Sequence, residues 1–559
     1  MVLSAALWRS IVGVAHLGVV IVLAAGTGYA AWYLYTDYAE LSATYLASGP
    51  FYRDAAWTTD FFTPSVKQAG DRFALCGLAA GLAGMLILYR SWRRCAVGTY
   101  RPLLFAFTRT DAWALGAIGL VQVAAWWYGQ SLLPPSFDEA FSAVNAAGEG
   151  PFRSLTYYML PNNHLLFNVL NAGFSGWTTD LVFTGRLLSL GAYLGVSVVQ
   201  YFWLRDVLER HRWLAAAVVL LLALTLPVWG FAVQARGYAL LLFGSWLAFV
   251  GAWYAQGGGR GRWSWLFSGG CVVAYAAVPV FLYAHLALLA WILTGWIGRR
   301  RVDGTLLAPQ LVAGVAVLLF YLPAISFSGL SAITANRYVA AATEGYAEFA
   351  VRFLPTLPDY ANYATQALAA WSVWLMPALY VLPVIVWWRS SSATYRRLAR
   401  FQLLLLVATV GVVLLMRAVP FHRSLIFQLH FGILIVVLFL QRLPALPVAV
   451  GATGFAALYL AAKTPTYFSL HLYYYDIVPT HTAVARMLAT VPDGAAVYAT
   501  DEGFYARYLL QQREVRLVDE AGTADFYVRD VRETSPPAAF RRVGEAADIE
   551  LFQREEAPE

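Results

Sequence analysis

The sequence predicts an α-helical polytopic membrane protein with about thirteen transmembrane helices and a small C-terminal α/β domain outside the membrane. Three observations predict it. Of 559 residues, 60% are hydrophobic and 13% charged, where a soluble domain is about half apolar and a quarter charged. Apolar runs of roughly the 20 residues that a bilayer-spanning helix needs recur along the chain. From Lys463 onward the composition turns mixed and charged, with short alternating segments.

The apolar runs lie near 11–35, 72–90, 112–132, 181–204, 213–231, 236–256, 263–280, 281–298, 308–328, 368–388, 401–418, 424–440 and 445–462. The first lacks a small-residue cleavage site and is read as a retained span. The runs flanking Pro279 are read as two helices; a single kinked helix there would change the parity of all later spans. Basic segments fall at Arg90–Arg94, Arg205–Arg212, Arg260–Arg262, Arg299–Arg301, Arg389–Arg400 and Arg442. All share one side under this count, which positive charge marks as cytoplasmic. The loops 36–71, 133–180 and 329–367 and the C-terminal region then lie outside, with the N-terminus inside. Three regions result: 1–110, an N-terminal hairpin and basic loop; 111–462, the main membrane region; and 463–559, the outer α/β domain.

In that last region, residues 480–492 read as a helix capped by Thr480 or Thr482. Residues 495–500 read as a strand and 502–512 as a helix. Further strands are expected at 515–519, 525–530 and 549–554. The domain carries no glycine-rich phosphate fingerprint, and Gly257–Gly259 is a short turn.

Composition also excludes several classes. The net charge of +7 comes mostly from arginines in short loops between spans, so it is a topological signal and not a nucleic-acid one. Lys67 and Lys463 are the only lysines. Cys76, Cys95 and Cys271 have no disulfide or zinc spacing. The 21 tryptophans suit interface belts.

The loop 133–180 is where chemistry is expected. Asp138-Glu139 follows the end of a span, and a carboxylate at a membrane boundary is costly without a role or a partner. Capping of a helix is one reading. A general base for an acceptor hydroxyl or amine is the other. Pro161-Asn162-Asn163-His164 opens an apolar helix, with Asn163 the expected N-cap and His164 in the first turn. Arg186, Arg236 and Arg423 all sit at outer span ends, against the usual cytoplasmic preference. They call for anionic partners, either a carboxylate such as Asp138 or a phosphate, which arginine suits. Tyr238 and His422 stand beside two of them.

These motifs together resemble a GT-C glycosyltransferase of the protein-mannosyltransferase and lipid A aminoarabinose-transferase type. Members carry an acidic pair in the first large outer loop, matched by Asp138-Glu139. A later His-Pro-Pro-Leu or Lys-Pro-Pro-Leu motif is matched by Asn163-His164-Leu165-Leu166, with both prolines absent. Arg186-Leu187-Leu188-Ser189 and Ala235-Arg236-Gly237-Tyr238-Ala239-Leu240 match two further elements. The resemblance covers roughly residues 110–330. A whole hairpin, 11–90, precedes the span leading to the acidic loop, so that loop is the second outer one.

The resemblance implies an inverting hexosyl- or pentosyltransferase of the inner or plasma membrane. It would move a sugar from a polyprenyl phosphate or pyrophosphate to a lipid, glycan or protein acceptor at the outer face. Asp138 would be the base, with Glu139 positioning the acceptor, tuning Asp138 or binding a divalent cation, the one candidate cofactor. His164, Arg236, Arg423 and Arg186 would meet the donor phosphate, with Asn163, Tyr238 and His422 in the substrate site. Membrane helices would hold the isoprenoid tail. Tyr346, Phe349, Phe353, Tyr360 and Tyr363 are candidates to stack on sugar, to cover the site as a lid or to anchor an interfacial helix. A flippase of lipid-linked sugars and an oligosaccharide polymerase or ligase are the rivals. Transporters usually place ionisable residues at mid-membrane, whereas here they gather at the boundary.

Overall fold

The computed structural model describes residues 2–48, 62–95, 107–158, 163–208, 212–256, 261–300, 304–334, 344–356, 372–428, 474–500, 503–518, 520–533 and 538–555, with Val302 and scattered residues between 430 and 462. Among them, seven helices are long and apolar enough to cross a membrane: Ser10–Tyr35, Pro64–Ser91, Leu181–Val207, Tyr238–Gln256, Pro279–Gly298, Gly304–Ser328 and Ala393–Met416. Arg212–Ala223 and Leu226–Ala232 make an eighth crossing if the pair is one span bent by 73°. The bend follows from sequence: Thr225 is extended (φ −63°, ψ 136°) and Pro227 sits in the first turn of the second piece, where a missing N–H costs nothing. Helices at Arg109–Leu132 and Ser372–Arg389 occupy two more expected positions. The expected spans 424–440 and 445–462 lie largely outside the described residues.

The chain breaks at Pro279. Val278 is extended (φ −150°, ψ 123°), the conformation that a following proline imposes. Arg262–Ala277 ends there, and Leu282–Arg299 begins after a 3-10 turn, Pro279–Phe281. Arg262–Ala277 packs along Tyr238–Gln256 with the backbones nearly touching. A Cβ on Gly270 would lie 2.3 Å from the Ala248 nitrogen, the small-residue contact that lets membrane helices approach. A buried aromatic core of Trp203, Trp246, Phe249, Trp253, Trp291 and Phe401 fills one half of the bundle. At that end Asp111 is buried and ion-paired with Arg205 (2.8 Å) and Arg212 (3.5 Å). Arg205, counted above as a topological charge, is therefore neutralised by its own partner.

The other end gathers the long loops. Tyr33 donates to the Ser326 carbonyl (2.9 Å), Arg153 to Ser48 (3.0 Å), and the Tyr158 N–H to Ser328 (3.0 Å). Phe349 and Phe353, of the helix Tyr346–Phe353, are buried in the main core and stack on each other. They are packing residues rather than sugar platforms. Tyr346 is exposed, with Arg417 over its ring; Tyr360 and Tyr363 lie outside the described residues.

The C-terminal domain is a five-stranded sheet of order β2-β1-β3-β5-β4, formed by β1 (Ala496–Ala499), β2 (Arg516–Leu517), β3 (Phe526–Asp530), β4 (Phe540–Ala546) and β5 (Ile549–Arg554). β1 runs parallel to β2 and β3, and β5 antiparallel to β3 and β4. β4 went unread in the sequence because it is a mostly exposed edge strand whose alternation is interrupted by a bulge at Arg542/Gly544. The helix expected at 480–492 runs instead over Tyr474–Leu488, through Pro479, and Thr482 donates back to the Val478 carbonyl rather than capping. The domain's apolar core is continuous with Ala140, Ala143, Val144 and Ala147 of the 133–180 loop. It is docked on that loop, not tethered beside it.

Candidate functional site

Ser136 starts a six-residue helix, Phe137–Ser142, through a capping box: its Oγ accepts from the Glu139 N–H (3.3 Å), and its N–H donates to Glu139 Oε2 (2.9 Å). So short a helix is marginal alone, and its three faces are held by three partners. Asp138, Glu139 and the Phe137/Phe141 pair each point to a different one.

Glu139 is fully buried. Arg186 Nε and Nη2 donate to its two oxygens at 2.8 and 2.9 Å, and the Ala235 N–H donates to Oε1 at 2.7 Å. With the Ser136 bond, all four lone-pair positions are taken. Burial alone would push this carboxyl up; the Arg186 guanidinium and the donated hydrogen bonds outweigh it and hold the group below its ordinary value. Arg186 is equally committed. Its Nη1 donates to Gln130 Oε1 (3.0 Å) and the Leu133 carbonyl (2.9 Å), and Nη2 also donates to the Pro134 carbonyl (3.1 Å). All five guanidinium N–H groups are used. The expected phosphate ligand Arg186 and the expected acceptor-binding Glu139 are thus partners of each other, a strut that fixes the 133–139 segment on Leu181–Val207. Glu139 is the capping acid of the sequence reading.

Asp138 is different. Its side chain is 44% exposed, and Arg236, nearly buried, reaches it at 2.6 Å (Nη1 to Oδ2). The Arg236 guanidinium lies 5.2 Å from the centre of the Tyr238 ring. Tyr238 OH accepts from Arg423 Nε at 3.2 Å, and the Tyr238 ring meets the His164 ring edge-on at 5.1 Å. Asp138, His164, Arg236, Tyr238 and Arg423, distant in sequence, are thereby one contiguous group. The side chain of His422 lies outside the described residues.

His164 departs from expectation in position and charge. It, not Asn163, is the N-cap residue of Leu165–Ala172, and its side chain makes no cap bond. Asn163 is spent within the loop: it donates to the Ser154 carbonyl (3.1 Å) and the Tyr157 carbonyl, and accepts from Asn168 (2.8 Å). Pro161 and Asn162 lie outside the described residues. Burial, then the nearby Arg236 and Arg423, push the His164 pKa well below its ordinary value. Both causes disfavour the charged imidazolium expected beside a phosphate. The Ala277 carbonyl, its hydrogen-bond partner, can only accept, so the ring gives its one N–H there. Among the described residues the buried Nε2 has no partner, leaving a bare acceptor beside two guanidinium groups. Gly237 makes the approach possible: a Cβ there would lie 2.9 Å from the His164 Cβ. A direct consequence is testable. His164→Gln, which keeps a neutral polar side chain, should leave the shape of the pH–activity profile unchanged between roughly pH 5.5 and 7.5; loss of a limb near the usual histidine range would show a charged His164 instead.

Among the described residues no group of three or more His, Cys, Asp or Glu side chains is placed to hold a metal ion. The donor set agrees, because Glu139 has no lone pair left for a cation. A cleft of about 380 Å³ opens beside Arg186, between the 130–135 segment, the start of Leu181–Val207 and the C-terminal domain. Neither Asp138 nor Arg236 lines it, so it is separate from the charged group. The contacts from the C-terminal domain to the loop had no signal in the sequence.

No protein-family model matches the chain, and no curated protein does. Among solved structures, the chain is similar to ArnT from Cupriavidus metallidurans bound to undecaprenyl phosphate, at 16% identity and a TM-score of 0.39, over 78% of this chain and 97% of that one. It is also similar to the arabinosyltransferase EmbB from Mycobacterium smegmatis, at 17% identity and a TM-score of 0.35, over 70% of this chain and 45% of that one.

Proposed function

We propose that this protein is a membrane glycosyltransferase that moves a sugar, with inversion, from a polyprenyl-phosphate or polyprenyl-pyrophosphate donor to an acceptor at the outer face. The carrying observation is the half-exposed Asp138 held at 2.6 Å by the nearly buried Arg236, with Arg423 one tyrosine away. A base for the acceptor and cations for a leaving phosphate are what such a transfer requires side by side. The ordered match of Asp138-Glu139, Arg186–Ser189 and Ala235–Leu240 to the GT-C motifs supports the same reading.

In this mechanism Asp138 takes the proton of the acceptor hydroxyl or amine as that atom attacks the anomeric carbon. The bond from that carbon to the phosphate oxygen breaks, and its electron pair leaves on the polyprenyl phosphate. Arg236 and Arg423 stabilise the charge that grows there. His164, whose buried Nε2 is left unused by the protein, accepts a hydrogen bond from a sugar hydroxyl there. Glu139 and Arg186 do not touch substrate; they hold the backbone from which Asp138 projects.

The founding test is release of free polyprenyl phosphate when purified protein meets a panel of polyprenyl-phosphate sugars and membrane lipid extract. Release with concurrent sugar transfer supports the reading. A folded protein that releases nothing from any donor, yet moves a lipid-linked sugar across vesicles, would establish the flippase reading. Within the transferase reading, Arg236→Ala should raise the donor Kd by roughly 10- to 100-fold, the loss of one charge-assisted hydrogen bond. An unchanged donor Kd would remove Arg236 from the phosphate site.

A further inference from the structure

We infer that Tyr505, in the C-terminal domain, is a positioning residue for Asp138, so that the domain is part of the catalytic apparatus and not a cover over it. The inference rests on the reading of Asp138 as the base. Tyr505 lies in the helix Phe504–Gln511 and is 1% exposed, although it belongs to the domain's surface facing the membrane region. Its hydroxyl donates to the Pro135 carbonyl at 3.2 Å, one residue before the Ser136 cap. It has a single hydrogen to give, so the His481 Nδ1 contact at 2.9 Å is a donation from the imidazole N–H to the phenol oxygen. A two-bond relay therefore runs from the domain's first helix, Tyr474–Leu488, to Pro135, the residue just before the cap of the Asp138 helix.

The aromatic contacts reinforce it. The Tyr505 ring lies 4.5 Å from the Phe137 ring, and Phe504 meets Phe137 at 6.4 Å and Phe141 at 5.4 Å, both edge-on. Phe137 and Phe141 are four apart and share a face of the helix. Glu139 holds a second face to Arg186, and Asp138 projects on a third toward Arg236. A six-residue helix has too few internal hydrogen bonds to hold its own orientation. The strut and the aromatic clamp together set its rotation, and the rotation sets where the Asp138 carboxylate points. Tyr508 to Asp180 (3.1 Å) and Gln512 to the Thr179 carbonyl (3.2 Å) tie the same clamp to the start of Leu181–Val207.

The test uses the full-length protein in nanodiscs with two variants. Tyr505→Phe keeps the ring and removes both hydrogen bonds; Tyr505→Ala removes the clamp. Amide hydrogen exchange of segment 136–147 is read alongside kcat and the donor KM. We expect exchange of that segment to rise in both variants, most in Tyr505→Ala. The kcat of Tyr505→Ala should fall about 10- to 100-fold, with donor KM within about twofold and Tyr505→Phe retaining part of the activity. Unchanged exchange overturns the inference whatever the activity does. Raised exchange with unchanged kcat overturns it too, as does a fall in kcat matched by an equal rise in KM. If the wild type turns over no donor while exchange still responds, the reading of Asp138 as a base is what fails, and the positioning role fails with it.

Discussion

Asp138→Asn should abolish sugar transfer while leaving a folded protein that still binds donor. The expected fall in kcat is roughly 10²- to 10⁴-fold, the usual contribution of a general base. The structure separates this loss from misfolding. Asp138 is 44% exposed, and the Asn oxygen still accepts from Arg236, so the buried guanidinium keeps a partner and the melting temperature moves by a few degrees at most. Donor affinity, carried by the arginines, should not weaken. The measurement is polyprenyl phosphate release by purified variant and wild type at matched folded fractions. A variant retaining more than about a tenth of wild-type turnover would end the assignment of Asp138 as base, because a carboxamide has no basicity at neutral pH.

Glu139→Gln and Arg186→Met should each act on stability first. Each leaves one buried charge without its counter-ion, which costs about 3–5 kcal/mol. The double variant, which removes both charges, should recover a substantial part of the loss, since the two residues act as one unit. Thermal unfolding in detergent reads both effects, and single variants within about 1 kcal/mol of wild type would show that the strut is not structural. The pH sign follows from the direction of the shift. The folded-state value of Glu139 is held below the ordinary one. Its stabilisation is therefore fully present above the unfolded carboxyl value of about 4.3 and is lost as pH falls through the lower folded value. Glu139→Gln should remove that acid-sensitive component and leave the rest of the acid-unfolding curve in place.

These two carboxylates, adjacent in sequence, have opposite roles, and the reason is rotational. One residue along a helix is a turn of about 100°, enough to send Glu139 into the bundle and leave Asp138 at the rim. The sequence showed an acidic pair at a span end and three arginines at span ends wanting anions. It did not show which arginine met which acid. Arg186 went to Glu139 with every N–H spent, and Arg236 to Asp138. Asn163 had the residue type of an N-cap, yet three loop contacts claimed its amide. His164 had the residue type of a cation, yet its burial beside two guanidinium groups disfavours the charged form. In the C-terminal domain β1, β3 and β5 were legible from alternation, while the edge strand β4 was not, because its burial pattern is set by a neighbour and a bulge.

The membrane character of the chain, the course of most of its described spanning helices and the change of composition toward a C-terminal α/β region were legible in the sequence. Those are local properties: a helix in lipid must be apolar for about 20 residues, and a charge at its end is visible without knowing any partner. Which of the boundary charges are available for chemistry is set by the packing of distant segments. A guanidinium or a carboxylate has a fixed number of hydrogen bonds to give or take, and which groups take them depends on segments such as 133–139, 235–238 and 504–508 meeting in space.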